Sequence, residues 1–263
     1  MSKNNIIDFL DKVKAKTDKL QVELSNGNTI GGSVSDSKTI QNIVKLIFTS
    51  DKSTVGIKYE ESIEKLLDAV FDKEIKDVPY TERTKLIIAA RCLSLGSTYI
   101  DREDKSEYDI TENFNLSCSK IGSDVEKAIN SLDGKCRELI GPPANFAVKY
   151  KVPTIGEARE IYKRLATQLK KNKQIENQIF TQQCIEIAKY VSEIYIKLGD
   201  EEVSFKFDDL SASEVIETIN KLPQPVTDMI LEDVNVVTEY DKKFIQLDDS
   251  KHISIDPLFF SKR

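Results

Sequence analysis

The chain carries a single histidine, His252, and no tryptophan. With one imidazole, a Ser-His-Asp or Cys-His nucleophile has almost nothing to work with, and neither has a histidine-rich metal site. His252 lies in an alternating stretch near the C-terminus, which suits an exposed or hydrogen-bonded structural role. No GxxxxGK[ST] motif is present, and Gly31-Gly32 is too short to cradle a phosphate outside a strand-to-helix turn. Without tryptophan, and without a basic patch interleaved with aromatic rings, single-strand nucleic-acid binding lacks its stacking platform. The net charge of −6 argues equally against phosphate-backbone binding as the main activity. No apolar run approaches the roughly 18 residues that a membrane span needs. The acids within the apolar start of the chain exclude a signal peptide, so the expected location is the cytoplasm.

Cysteine is scarce as well. Cys92, Cys118, Cys136 and Cys184 are scattered, three of them in apolar contexts, and read as reduced core thiols. Cys118-Ser-Lys-Ile121-Gly122 looks like half a zinc knuckle whose second cysteine has become isoleucine, and one sulfur with no nearby histidine does not make a zinc site. Asp208-Asp209 and Asp248-Asp249 are adjacent carboxylates able in principle to chelate Mg²⁺ for a hydrolase or nuclease, but paired acids at a turn or helix start have ordinary capping uses. No catalytic, cofactor or metal constellation is therefore expected, and the chain reads as an interaction protein.

What is present is patterned apolar surface. Residues 79–96 read as a capped, buried helix: Thr81 as N-cap, Glu82 in the first turn, then a run from Leu86 to Leu95 broken only by Arg91 and Ser94. Gly96 ends it. A helix apolar on nearly every side sits inside a core, so Leu86, Ile87 and Ala90 are expected to be buried. Arg91 must then snorkel to the surface or find an acidic partner.

The remaining pattern predicts a helix over residues 4–16, a β-hairpin turning at Ser25-Asn-Gly-Asn28, and helices over 37–48 and 59–71 with a polar loop at 51–56 between them. Strands are expected at 97–100, 108–118 and 146–150, and a helix at 124–132. Gly141-Pro-Pro143 and Pro153 suggest a boundary, giving an N-terminal lobe (1–150) and a C-terminal lobe (151–263). From Thr154 the chain reads as helical for some forty-five residues, interrupted at 172–177. In its second half Phe180, Cys184, Ile187, Val191, Ile194 and Leu198 follow a heptad-like spacing, either one seam of an intramolecular αα-hairpin or a stripe that docks another subunit. Phe180, Ile187, Val191, Ile194 and Leu198 are the candidate partner-binding residues. A strand at 203–207, a capping box at Ser211-Ala-Ser-Glu214, helices up to Pro223 and over 225–240, and a terminal hairpin of 244–247 with 253–255 complete an α+β reading. Charge is uneven: residues 150–173 hold seven Lys/Arg against two Glu, and 199–250 hold fourteen acids against four Lys. Solvated helix faces account for this, or complementary surfaces within an assembly.

Several of these segments, in order, resemble the baseplate hub and hub-assembly proteins of T-even-type contractile-tail bacteriophages. They are the hairpin from Val22-Glu-Leu-Ser-Asn-Gly27 with the helix through Ile47, Thr81-x-Arg83 entering the helix that closes Arg91-Cys-Leu-Ser-Leu-Gly96, and Phe114-Asn-Leu-Ser-Cys118. Looser matches are a helical pair, Leu222-Pro223 and the final Phe259-Phe260. The chain departs from that pattern before Ser25, where a proline is usual, and at Ile121. The resemblance implies a non-enzymatic role in building the tail hub, with other hub or tape-measure proteins as partners, several copies around the tail axis, no catalytic residues to transfer, and a place in the host cytoplasm during assembly and then in the virion. A tail-assembly chaperone and an unrelated bacterial adaptor are the alternatives.

Overall fold

A computed structural model describes residues 20–33, 42, 45, 55–71, 73–101, 103–114, 123–141, 144–171, 178–255 and 257–260. The expected helix at 4–16, nearly all of the one at 37–48, and Cys118 lie outside them. The fold is α+β, with helices beside small antiparallel sheets. It divides into two compact units: one of residues 1–75, 82–117 and 243–263, the other of 76–81 and 118–242. The expected boundary at 150 is therefore corrected, because it would separate the hydrogen-bonded strands of a single sheet.

In the first unit, β1 (Leu20–Glu23) and β2 (Thr29–Gly32) form the expected hairpin. Its turn is closed by Leu24 N–H to Asn28 O at 2.7 Å, with Gly27 at φ 78°. Helix α1 (Val55–Val70) buries Ile63, Leu66, Leu67 and Val70, and it begins where a polar loop was expected. Helix α2 (Arg83–Leu95) is the apolar one, and Leu86, Ile87 and Ala90 are buried as expected. Thr81 is not its cap: it lies in a 3₁₀ turn (Tyr80–Glu82), and Glu82 occupies the cap position without a capping side-chain bond. The buried Glu82 carboxylate instead accepts from the Ser25 N–H at 3.1 Å and from the Ser25 hydroxyl, which fixes the hairpin turn.

Gly96 ends α2 at φ 92°, ψ 165°, a conformation closed to residues bearing a Cβ, and its N–H reaches Cys92 O. Arg91 has neither of its expected fates. Buried, it donates to the backbone carbonyls of Gly96, Thr98 (2.7 Å) and Phe259 (3.4 Å), and its guanidinium lies 5.4 Å from the Phe259 ring centre. Strands β3 (Thr98–Ile100) and β4 (Glu107–Asp109) pair antiparallel. The second was expected to run to 118, but Asp109 accepts from Thr111 N–H (2.9 Å) and hydroxyl (2.6 Å), and the chain turns into the short helix α3 (Thr111–Phe114). That local capping bond outcompetes the ladder.

The second unit comprises α4 (Ser123–Leu132), β5 (Cys136–Leu139), β6 (Asn145–Tyr150), α5 (Ile155–Lys171), α6 (Gln178–Tyr190), β7 (Val191–Leu198), β8 (Glu201–Lys206), α7 (Ala212–Lys221) and most of α8 (Gln224–Ile245). Its sheet is antiparallel in the order β5-β6-β7-β8. Helices α5, α6 and α7 pack on one another, and α7 opens with the full Ser211/Glu214 capping box. The αα pair is present, but α6 stops at Tyr190 rather than near 198. The terminal hairpin is reduced to one bridge, Gln246 with His252, because α8 continues through Ile245. Segment 76–81 joins this unit through Tyr80 N–H to Pro153 O and Ile155 N–H to Val78 O, both 2.8 Å. Buried Lys189 completes the join, donating to Glu186 at 2.7 Å and to the Tyr80 hydroxyl at 3.3 Å. Burial works to lower its pKa, but Tyr80 and Glu186 outweigh that and hold the ammonium above its ordinary value.

Candidate interaction surface

The register of the four-stranded sheet aligns its side chains in rows, and alternation along each strand assigns every row to a face. One row is Arg137, Val148, Ile194 and Phe205; the next on the same face is Leu139, Phe146, Ile196 and Val203. Val148 and Ile194 are fully buried, and this is the core face. In the second row cover gives out. Leu139, Phe146 and Ile196 are half-buried and Val203 is 60% exposed. Leu198, two residues beyond Ile196 on the same face, is 52% exposed, and Ile140, just past β5, is 75% exposed. The sheet's apolar face thus runs out from under the core as a strip four strands wide.

Of the five candidate partner-binding residues, Ile187, Val191 and Ile194 are fully buried in this chain's own core and Phe180 is half-buried. Only Leu198 lies on the exposed strip. The helical stripe that grouped them is corrected: Phe180 and Ile187 belong to α6, while Val191, Ile194 and Leu198 belong to β7.

Below the strip the sheet is tied to α8. Asp233, buried, accepts from Lys135 at 2.6 Å and Arg137 at 2.8 Å, and Arg137 also reaches Glu232 at 2.9 Å. Burial works to raise the Asp233 carboxyl, yet Lys135, the Tyr150 hydroxyl and Arg137 outweigh it and hold the group below its ordinary value. The same surroundings push Tyr150 up, burial first and Asp233 next. A carboxyl depressed on folding adds stability that is full above its unfolded pKa of about 4 and is lost as pH falls through the folded value. Asp233→Asn is expected to cost about 2 kcal/mol at pH 7, the scale of hydrogen bonds to a charged group. The difference between the two proteins should close as the pH of the melts is taken below about 4; a gap that stays constant to acid would show that ionisation of Asp233 contributes nothing.

The residues considered for chemistry are dispersed. Asp208 is exposed and paired with Lys151 at 2.8 Å. Asp248 accepts from Ser250 N–H and Lys251 N–H, each 2.8 Å, as a turn cap, and these bonds lower its pKa, that from Ser250 foremost. His252 is exposed on its bridge. Burial pushes the thiols of Cys92 and Cys184 up to about 12, which leaves them protonated and unreactive. Among the described residues no three His, Cys, Asp or Glu side chains gather as a metal site, and no helix is long and apolar enough to cross a membrane. Comparison of the chain with protein-family models, with curated proteins and with solved structures gives no match.

Proposed function

We propose that the protein is a non-enzymatic component of a contractile phage tail, which acts in building the baseplate hub by binding other hub or tape-measure proteins. The observation that carries the reading is the half-covered apolar strip Leu139, Phe146, Ile196, Leu198 and Val203. Apolar side chains spread across four adjacent strands form a docking face of the kind that specific interfaces use for their anchors. The phage assignment rests on the resemblance of the ordered motifs, of which Arg91-Cys-Leu-Ser-Leu-Gly96 is the most specific. In the fold that motif has a physical use: the helix ends on Gly96, and Arg91 returns to bind the carbonyls beyond it.

The test is affinity capture of the tagged protein from cells producing the phage, read by mass spectrometry and repeated with Leu198→Asp/Val203→Asp. Hub or tape-measure proteins captured by the unaltered chain and lost with the double variant support the proposal. Host proteins alone in the capture would sink it in favour of a bacterial adaptor. Mass spectrometry of purified particles separates a resident tail component from a chaperone that leaves before completion.

A further inference from the structure

The outer edge of β8 carries a pattern that its neighbour β7 does not use. Leu198 and Glu201 close a two-residue turn in which Gly199 takes φ 61°. Glycine with positive φ at the first turn position is the type II′ arrangement that matches strand twist. Counting from that closing pair, backbone groups of Glu201, Val203 and Phe205 turn toward β7, and those of Glu202, Ser204 and Lys206 turn outward. Among the described residues no strand pairs with that outward edge. Every residue of β8 except Phe205 is exposed, and Glu202 and Lys206 have no ion-pair partner among the described residues.

We propose that two copies of the chain pair antiparallel along β8, about a two-fold axis through Ser204. Side chains facing each other across such a pair must share a face, so only pairings of residues with equal parity are allowed. The register with Ser204 opposite Ser204 sets Glu202 against Lys206 of the second copy, and Lys206 against its Glu202. Within one chain the register already places Glu193 opposite Lys206 and Lys197 opposite Glu202. The joined sheet then carries, on its solvent face, rows reading Glu193, Lys206, Glu202, Lys197 with alternating sign across both copies. On the core face Val203 meets Phe205 of the second copy, which prolongs the apolar row. Slipping the pairing by two residues either way sets Ser204 against Glu202 or Lys206 and loses both charge pairs. The pairing uses the same edge on each copy, so it closes at two. A dimer of this kind stands whether or not the tail assignment does.

Sedimentation of the full chain tests it. The unaltered protein is expected to dimerise. Glu202→Lys alone and Lys206→Glu alone should each weaken the dimer by about ten-fold or more, the scale of two cross-strand charge pairs turned repulsive. The double variant Glu202→Lys/Lys206→Glu, which restores opposite signs, should recover it. Ser204→Pro removes the outward N–H at the axis, a place where an edge strand tolerates proline, and should give a monomer that melts like the unaltered chain diluted until it is monomeric. A monomer for the unaltered chain up to ~100 μM would overturn the proposal. So would an open-ended polymer, the result of β8 pairing with β5, or a dimer indifferent to the charge swaps.

Discussion

Replacing Leu86 by alanine is expected to lower the unfolding free energy by about 2 to 5 kcal/mol, the largest effect of any single apolar truncation proposed for this chain. Leu86 is wholly inaccessible, and so are its neighbours Ile88, Ala89 and Ala90 along α2. Removal of its branched end forfeits transfer free energy and leaves a void. Residues buried on both sides of Leu86 along the helix leave little freedom to collapse into that void, which places the cost toward the upper end of the range. Urea midpoints for the two proteins measure it directly. Midpoints that coincide would mean that the helix is not the core of its unit.

Arg91→Met should come close behind, at about 3 kcal/mol, although methionine nearly conserves the apolar stem. The loss is in donors. The carbonyls of Gly96 and Thr98 lie where the chain leaves α2 and enters β3, and both accept from the guanidinium. Hydrogen bonds from a charged donor are worth about 1.5 to 3 kcal/mol, and the contact over the Phe259 ring is lost as well. Burial pulls the Arg91 pKa down from its ordinary value, with Cys92 and Tyr99 opposing, but arginine stays protonated. Arg91→Lys keeps the charge while losing the fork that spans two carbonyls, so it should recover only some of the stability. Full recovery by lysine, seen as equal melting temperatures, would show that charge and not geometry holds the junction.

Where local rules and tertiary packing agreed, the sequence was readable. The Ser211 capping box, the Gly96 terminus, the 25–28 turn and the alternation of Phe146, Val148 and Tyr150 all appear in the fold as read. The 180–198 stripe was misread for a specific reason. Val191 and Ile194 are three apart, a helical step, yet both side chains lie on one sheet face, because the register of β6 and β7 shifts between Lys149 and Tyr150. Tyr150 pairs with Val191, the extra residue Ser192 bulges, and its hydroxyl donates to Lys149 O at 3.0 Å. A bulge turned period two into an apparent heptad. The period-two signal further on, in Ile194, Ile196 and Leu198 and again in Val203, Phe205 and Phe207, was the legible sign of the interaction strip. How far that strip lies uncovered depends on helix lengths that no local pattern encodes.

The threading of the chain sets an order of events during synthesis. Residues 76–81 and 118–242 form one unit within the sequence span of the other, so the ribosome finishes the inner unit first. The outer unit must wait, because its last pieces are fixed by late-made residues: Asn113 donates to Phe244 O and Gln246 O, the Tyr59 hydroxyl to Ile255 O, and Arg91 to Phe259 O. Until that stretch emerges, Arg91 and the part of α2 that meets residues 257–260 have no permanent cover, although α1 and α3 are already in place. A nascent chain stalled near residue 242 would thus display a folded inner unit on an adhesive, half-built outer one. That intermediate is the natural client for a chaperone, and a stop codon introduced there should yield protein that is trapped by holdases even though its four-stranded sheet is complete.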